Sequence, residues 1–151
     1  MLGERVALYL LMLRSFLLGL FLFAVATAAL PEEVSLEDAA AIRAVISEQL
    51  DAFAHDDAPR AFSLATSGIR TRFGTPEVFI AMVRTGYPVV YRPKSVQFEK
   101  PVIVAGEVIQ PVRMTDAEGG AWIALYPMQR QADSGWRING CFLERLTGER
   151  V

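Results

Sequence analysis

The hydrophobic period of this chain changes once, at Pro93, and that change limits the possible folds more than any motif does. Before it, apolar side chains recur at the three- and four-residue spacing of helices; after it, they alternate as strands require. Ser35 is a helix cap ahead of Leu36-Glu37-Asp38, and Ala39, Ile42, Ile46, Leu50 and Phe53 then make one apolar stripe, which predicts an amphipathic helix over 36–54. His55-Asp56-Asp57 ends it. Asp57 caps a shorter helix with Pro59 in its first turn, carrying Phe62 and Leu64 inward and stopping at Gly68. Thr75-Pro76-Glu77 starts a third helix over 76–85, which Gly86 and Pro88 stop.

Four strand-like runs follow, over 94–104, 107–115, 121–130 and 136–145. They are separated by Ala105-Gly106, by Asp116 to Gly120 and by Asp133-Ser134-Gly135, and Pro101 marks a break in the first run. Helices followed by an antiparallel meander predict an α+β fold, with N-terminal helices packed on a curved four-stranded sheet. If every hairpin loop holds an even number of residues, Gln110, Val112 and Met114 share a face with Ile123, Leu125, Pro127, Trp136, Ile138 and Phe142. That layer is apolar except for Gln110 and is expected under the helices. The other face then collects Pro111, Arg113, Trp122, Ala124, Tyr126, Met128, Arg137, Asn139 and Cys141, a mixture typical of protein interfaces. A buried Gln110 amide must find hydrogen-bond partners in the helices, in water or in a ligand.

Ahead of the domain, Arg14 is the only charge between Val6 and Leu30. Phe16 to Val25 is an apolar run, and Ala26-Thr27-Ala28 is a small-x-small site. Together they read as a cleaved export signal over 1–28, with Met12 as a second plausible start. A linker over 29–35, a domain over 36–146 and a tail over 147–151 complete the chain. The alternative is a retained membrane anchor, which buries Arg14 in the bilayer at a cost. The expected location is periplasmic or secreted. Losing Glu4, Arg5 and Arg14 leaves 13 basic and 16 acidic side chains out of 15 and 17, with no basic block, so nucleic acid is not expected as a partner.

The domain has one histidine and one cysteine, too few for a zinc site, and no loop has calcium-site spacing, so no metal or other cofactor is expected. His55, beside Asp56 and Asp57, is either a surface residue at a helix end or half of a His–Asp pair. Cys141 is a packed strand cysteine unless a neighbouring cation makes it a thiolate. Arg70 and Arg72, just before the third helix, pair with surplus acids or hold an anion. Tyr87, Tyr91 and Arg92 stand where helices hand over to sheet.

Phe73-Gly74-Thr75-Pro76, Tyr87-Pro88, Arg92-Pro93, Gln110-Pro111-Val112, Tyr126 and the closing Gly135-Trp136-Arg137-Ile138-Asn139-Gly140-Cys141 resemble the bacterial family called domain of unknown function 4864, over about 40–145. The family label implies no activity. The element order also resembles the nuclear transport factor 2-like (cystatin-like) superfold, which implies a sheet curled around the first helix and a conical cavity. Members of that superfold include enzymes with an Asp or His–Asp pair as well as binding and dimerising modules, so fold does not settle function. The expected role is a non-enzymatic module. For a small apolar or amphipathic ligand, Gln110 and Trp136 line the cavity, with Tyr91 and Arg92 at its mouth. For a homodimer, Arg113, Trp122, Tyr126 and Arg137 form the surface. The alternative is a small lyase or isomerase using His55 with Asp51 or Asp56.

Overall fold

The computed structural model describes residues 33–133 and 135–150, with side chains through residue 146. The expected signal segment therefore lies outside the described residues. Five helices come first: α1 (Leu36–Ala54), α2 (Ala58–Ser63), α3 (Ser67–Phe73), α4 (Pro76–Gly86) and the single turn α5 (Pro88–Tyr91). Six strands follow: β1 (Ser95–Phe98), β2 (Val102–Val104), β3 (Glu107–Thr115), β4 (Gly120–Arg130), β5 (Trp136–Ile138) and β6 (Phe142–Arg150). Among these residues no helix is long and apolar enough to cross a membrane.

The caps are the ones the sequence announces. Ser35 Oγ accepts the Asp38 amide, Asp57 accepts the Arg60 amide, and Thr75 accepts the Val78 amide. Two helices were not expected. Gly68 does not stop α2; it lies inside α3, a separate helix capped by Thr66, whose hydroxyl accepts the Ile69 amide. Pro88, read as a stop, begins the short α5 at its first position, where a missing N–H costs nothing.

The sheet is a four-ribbon antiparallel meander. β1 and β2 both pair with β3, β3 pairs with β4, and β5 and β6 both pair with β4. Each outer ribbon is thus one of the four expected runs, broken once. Pro101 breaks the first, as its missing N–H requires. The last is broken at Asn139-Gly140-Cys141. Across that break the register slips by one residue: Ile138 faces Met128, whereas Phe142 faces Leu125. One extra residue opposite a continuous partner is a bulge, and Gly140, at φ 155°, takes the backbone angle that a side chain resists.

The expected face assignment is wrong for β4. The loop 116–120 has five residues, an odd number, so Gln110 faces Tyr126, Val112 faces Ala124 and Met114 faces Trp122. The helix-covered layer therefore holds Trp122, Ala124, Tyr126 and Met128, and the outer layer holds Ile123, Leu125 and Pro127. Trp136 and Leu125 lie on opposite sides of the sheet. Both faces of β4 are rich in apolar side chains, so polarity alone could not choose between registers. Asp116 chooses: its carboxylate accepts the Gly120 amide at 2.6 Å and Trp122 Nε1 at 2.7 Å, and its own amide donates to Gly120 O at 3.0 Å. These bonds, the Trp122 indole first, hold the Asp116 carboxyl below the usual carboxylate range. The bulge moves two more residues. Phe142 leaves the covered layer for the outer side, and Cys141 turns inward.

Ile42, Ile46, Leu50 and Phe53 of α1 are buried, each contributing about 1.5–3 kcal/mol relative to exposure. They pack with Phe79, Ile80 and Val83 of α4, and with Val112, Met114, Tyr126 and Ile138 of the sheet. Two polar bonds pin the layers. Trp136 Nε1 donates to Asp38 Oδ1 at 3.0 Å, joining β5 to the first turn of α1, and Gln49 Nε2 donates to Ala61 O at 3.0 Å, joining α1 to α2.

Gln110 answers the demand for partners from within the chain. Its Nε2 donates to Glu99 O and Pro111 O, both at 2.7 Å, and so fastens the β1–β2 break to β3. Gln110→Met keeps the volume and strands the Glu99 carbonyl, while Pro111 O keeps the Glu99 amide at 3.1 Å. Urea melts of the two proteins are expected to differ by about 1–3 kcal/mol with an unchanged m-value. A loss under about 0.5 kcal/mol, the scale of a surface substitution, would mean that the amide holds nothing together.

Candidate functional site

The curl of the sheet against the helices leaves a cavity of about 400 Å³. α1 supplies Gln49 and Phe53, and α3 supplies Ile69, Arg72 and Phe73. Phe79, Met82 and Val83 come from α4, and Tyr126 and Ile138 from the sheet. The bulge closes the ring with Asn139, Gly140, Cys141 and Phe142. Helices α2 and α3 are held in place because Leu64 to Thr66 runs beside β5: Ile138 N donates to Leu64 O at 3.0 Å and Thr66 N to Ile138 O at 2.9 Å. Thr66 Oγ1 also donates to Asn139 Oδ1 at 3.0 Å, so the bulge and the start of α3 are tied together at the rim.

Polar groups in the wall are few. Tyr126 is 1% exposed, and among the described residues its hydroxyl has no partner with hydrogen-bond geometry. The Cys141 thiol lies beside that hydroxyl and interacts with it, a weak partner for a phenol. Burial pushes the Tyr126 phenol well above its ordinary value, and burial pushes the Cys141 thiol up to about 12. Gln49 commits one N–H to Ala61 O. Among the described residues Arg72 is the only charged side chain in the wall. It lies over the Phe73 ring at 6.0 Å and makes no ion pair among the described residues.

None of the four side chains expected to bind a ligand lines this cavity. Gln110 and Trp136 do lie under the helices, but each is spent on the bonds described above. Tyr91 and Arg92 meet at Asp56 instead, which has left-handed backbone at φ 57°. The Tyr91 hydroxyl donates to Asp56 Oδ1, Arg92 Nη2 reaches Asp56 Oδ2 at 3.2 Å, and Arg84 Nη2 reaches Oδ1 at 3.3 Å. Both guanidinium groups also lie over the Tyr91 ring. This knot fastens α4 and α5 to the end of α1.

The four expected interface residues separate. Arg113 and Arg137 are on the outer face, with Arg113 bonded to Glu99 and Arg137 Nη1 donating to Trp136 O at 2.9 Å. Trp122 is half-buried at one end of the covered layer, under Arg145, and Tyr126 is inside the cavity wall rather than on a surface. The His55 side chain is 70% exposed, and among the described residues its ring bonds only Asp51, through Nδ1. It does not line the cavity, and among the described residues neither does any Asp or Glu. Among the described residues no His, Cys, Asp and Glu side chains cluster to hold a metal.

Residue-by-residue reading missed most of the wall because Phe53, Ile69, Phe73, Phe79 and Met82 look like ordinary core. Arg72, Tyr87 and Cys141 had been singled out, but nothing in their spacing joined them. Arg70 and Arg72 are helical, in the last turn of α3, rather than in a loop.

The raised thiol has a consequence that can be measured. The folded thiol keeps its proton through the range where the unfolded one, at an ordinary 9.0, ionises. This contribution to stability is complete below that value and is lost as pH rises toward about 12. At pH 8, iodoacetamide is expected to label Cys141 about a thousandfold more slowly in the native chain than in urea, following the thiolate fraction. Similar rates in both states would show an exposed thiol.

No curated protein and no solved structure matches the chain. A family model does, over residues 35–151, which takes in every element from the cap of α1 through β6 and with them the whole wall of the cavity. The chain belongs to the family described as Domain of unknown function (DUF4864).

Proposed function

We propose that the domain is a non-enzymatic binding module for a small, largely apolar ligand, acting after export to the periplasm or the medium. The observation that carries this reading is the cavity: its volume falls within the roughly 300–1,000 Å³ range of small-molecule sites, with an aromatic and aliphatic wall and few polar groups. Catalysis finds little support there. Among the described residues the wall has no carboxylate and no histidine, and its thiol stays protonated at physiological pH. The lyase or isomerase reading needs His55 beside an Asp in an enclosed pocket, and His55 stands in solvent. Export is supported by the uncharged run Phe16 to Val25 and the Ala26-Thr27-Ala28 site.

Ile69, half-buried on α3, can be enlarged at the cavity's edge without disturbing the inner core. Ile69→Trp is expected to abolish retention of co-purified small molecules, read by mass spectrometry of protein extracted from its native host, with the melting temperature within a few degrees of the parent. Equal retention by both proteins would refute the cavity as the binding site.

A second reading, a homodimer, is favoured by the outer sheet face. Ile109, Pro111, Ile123 and Leu125 form a strip there, Val102 is 44% and Phe142 66% exposed, and Arg113 and Glu144 flank Ile123 from opposite sides. Opposite charges on either side of an apolar strip are self-complementary about a twofold axis. Light scattering at micromolar concentration is expected to give a dimer, and Leu125→Lys a monomer. A monomeric parent would remove this reading and leave the cavity untouched.

A further inference from the structure

We propose that the cavity selects an anion: a compact aromatic or alicyclic monocarboxylate whose charge is held by Arg72 and whose far end carries an oxygen that meets the Tyr126 hydroxyl. This rests on the cavity being a ligand site and names the class of molecule it takes.

The charge inventory carries the first half. Among the described residues seventeen form the wall, and Arg72 is the only ionised one of these. No described acid neutralises it, and the ring of Phe73 gives its guanidinium a platform beside the opening. Its planar fork matches a carboxylate in two parallel bonds. One cation suits a monoanion; a phosphate dianion calls for a second cation, and the described wall supplies none. The neighbouring thiol remains protonated, so it adds no opposing negative charge.

The second half rests on Tyr126. Buried hydroxyls almost always have partners, and among the described residues this one has none but the weak Cys141 thiol. Gln49 across the wall spends only one of its amide hydrogens, on Ala61 O. A ligand oxygen beside Tyr126 completes what the fold leaves open, while the many rings and methyl groups between accept an apolar body. The hydroxyl gives the free protein little, so Tyr126→Phe is expected to melt at the same temperature as the parent or higher.

Calorimetry on the purified chain tests this with three rings of one shape: 2-naphthol, 2-naphthoate and 6-hydroxy-2-naphthoate. The carboxylate is expected to improve affinity about tenfold over 2-naphthol, and Arg72→Gln to erase that gain while leaving 2-naphthol unchanged. The added hydroxyl is expected to give a further gain of about threefold or more, lost in Tyr126→Phe and kept in Arg72→Gln. Equal binding of 2-naphthol and 2-naphthoate, or a carboxylate preference that survives Arg72→Gln, overturns the anion assignment while the cavity reading stands. A hydroxyl gain that survives Tyr126→Phe overturns the role of that residue. If none of the three binds, the cavity reading itself fails, and this proposal with it.

Discussion

The Asp116 carboxylate decides which half of β4 becomes core. By holding the Gly120 amide and the Trp122 indole, it closes a five-residue loop, and the register of the β3–β4 hairpin follows. In a sheet with a period of two, a slip of one residue turns every side chain over. With this loop Tyr126 and Met128 go under the helices; with an even loop Leu125 and Pro127 would replace them. The cavity wall, the weakly partnered phenol and the apolar outer strip all descend from that choice.

The bulge at Asn139-Gly140-Cys141 makes a second such choice on the other side of β4. It lets one ribbon start in step with β4 at Ile138 and continue out of step at Phe142. A cysteine is turned inward against Tyr126 while the Phe142 ring is left exposed on the outer side. Pro101 does the corresponding work at the opposite edge, but there Gln110 mends the gap with two hydrogen bonds. The two breaks differ in consequence: one is sealed by a side chain, and the other contributes to a hollow.

The parts of the architecture that depend on local signals were readable from the chain. The caps at Ser35, Asp57 and Thr75, the Ala105-Gly106 turn and the switch of period at Pro93 each act within a few residues, and each appears where its chemistry says. Ala105 and Gly106 both take positive φ, 51° and 81°, as a two-residue hairpin of this kind demands. What was not readable depends on parity and on distance. The Trp122 indole closing on Asp116, and a one-residue slip near Gly140, leave almost no trace in hydrophobicity because both faces of β4 are apolar. The lining of the cavity was unreadable for a related reason. Gln110 and Trp136 were rightly placed under the helices, but buried polar atoms satisfy one another where they can, and theirs are satisfied by Glu99, Pro111 and Asp38. Tyr126 was assigned to a surface because its strand was turned the wrong way.

The seam between Leu64–Thr66 and β5 has an effect on how this molecule behaves among its own kind. An open sheet edge offers unpaired backbone donors and acceptors to any extended chain that drifts past, and that is a common route to runaway association. Here the outward amide and carbonyl of Ile138 are already taken by Leu64 and Thr66. The short β5 is thereby withdrawn from intermolecular strand growth by three residues of the chain's own helical half.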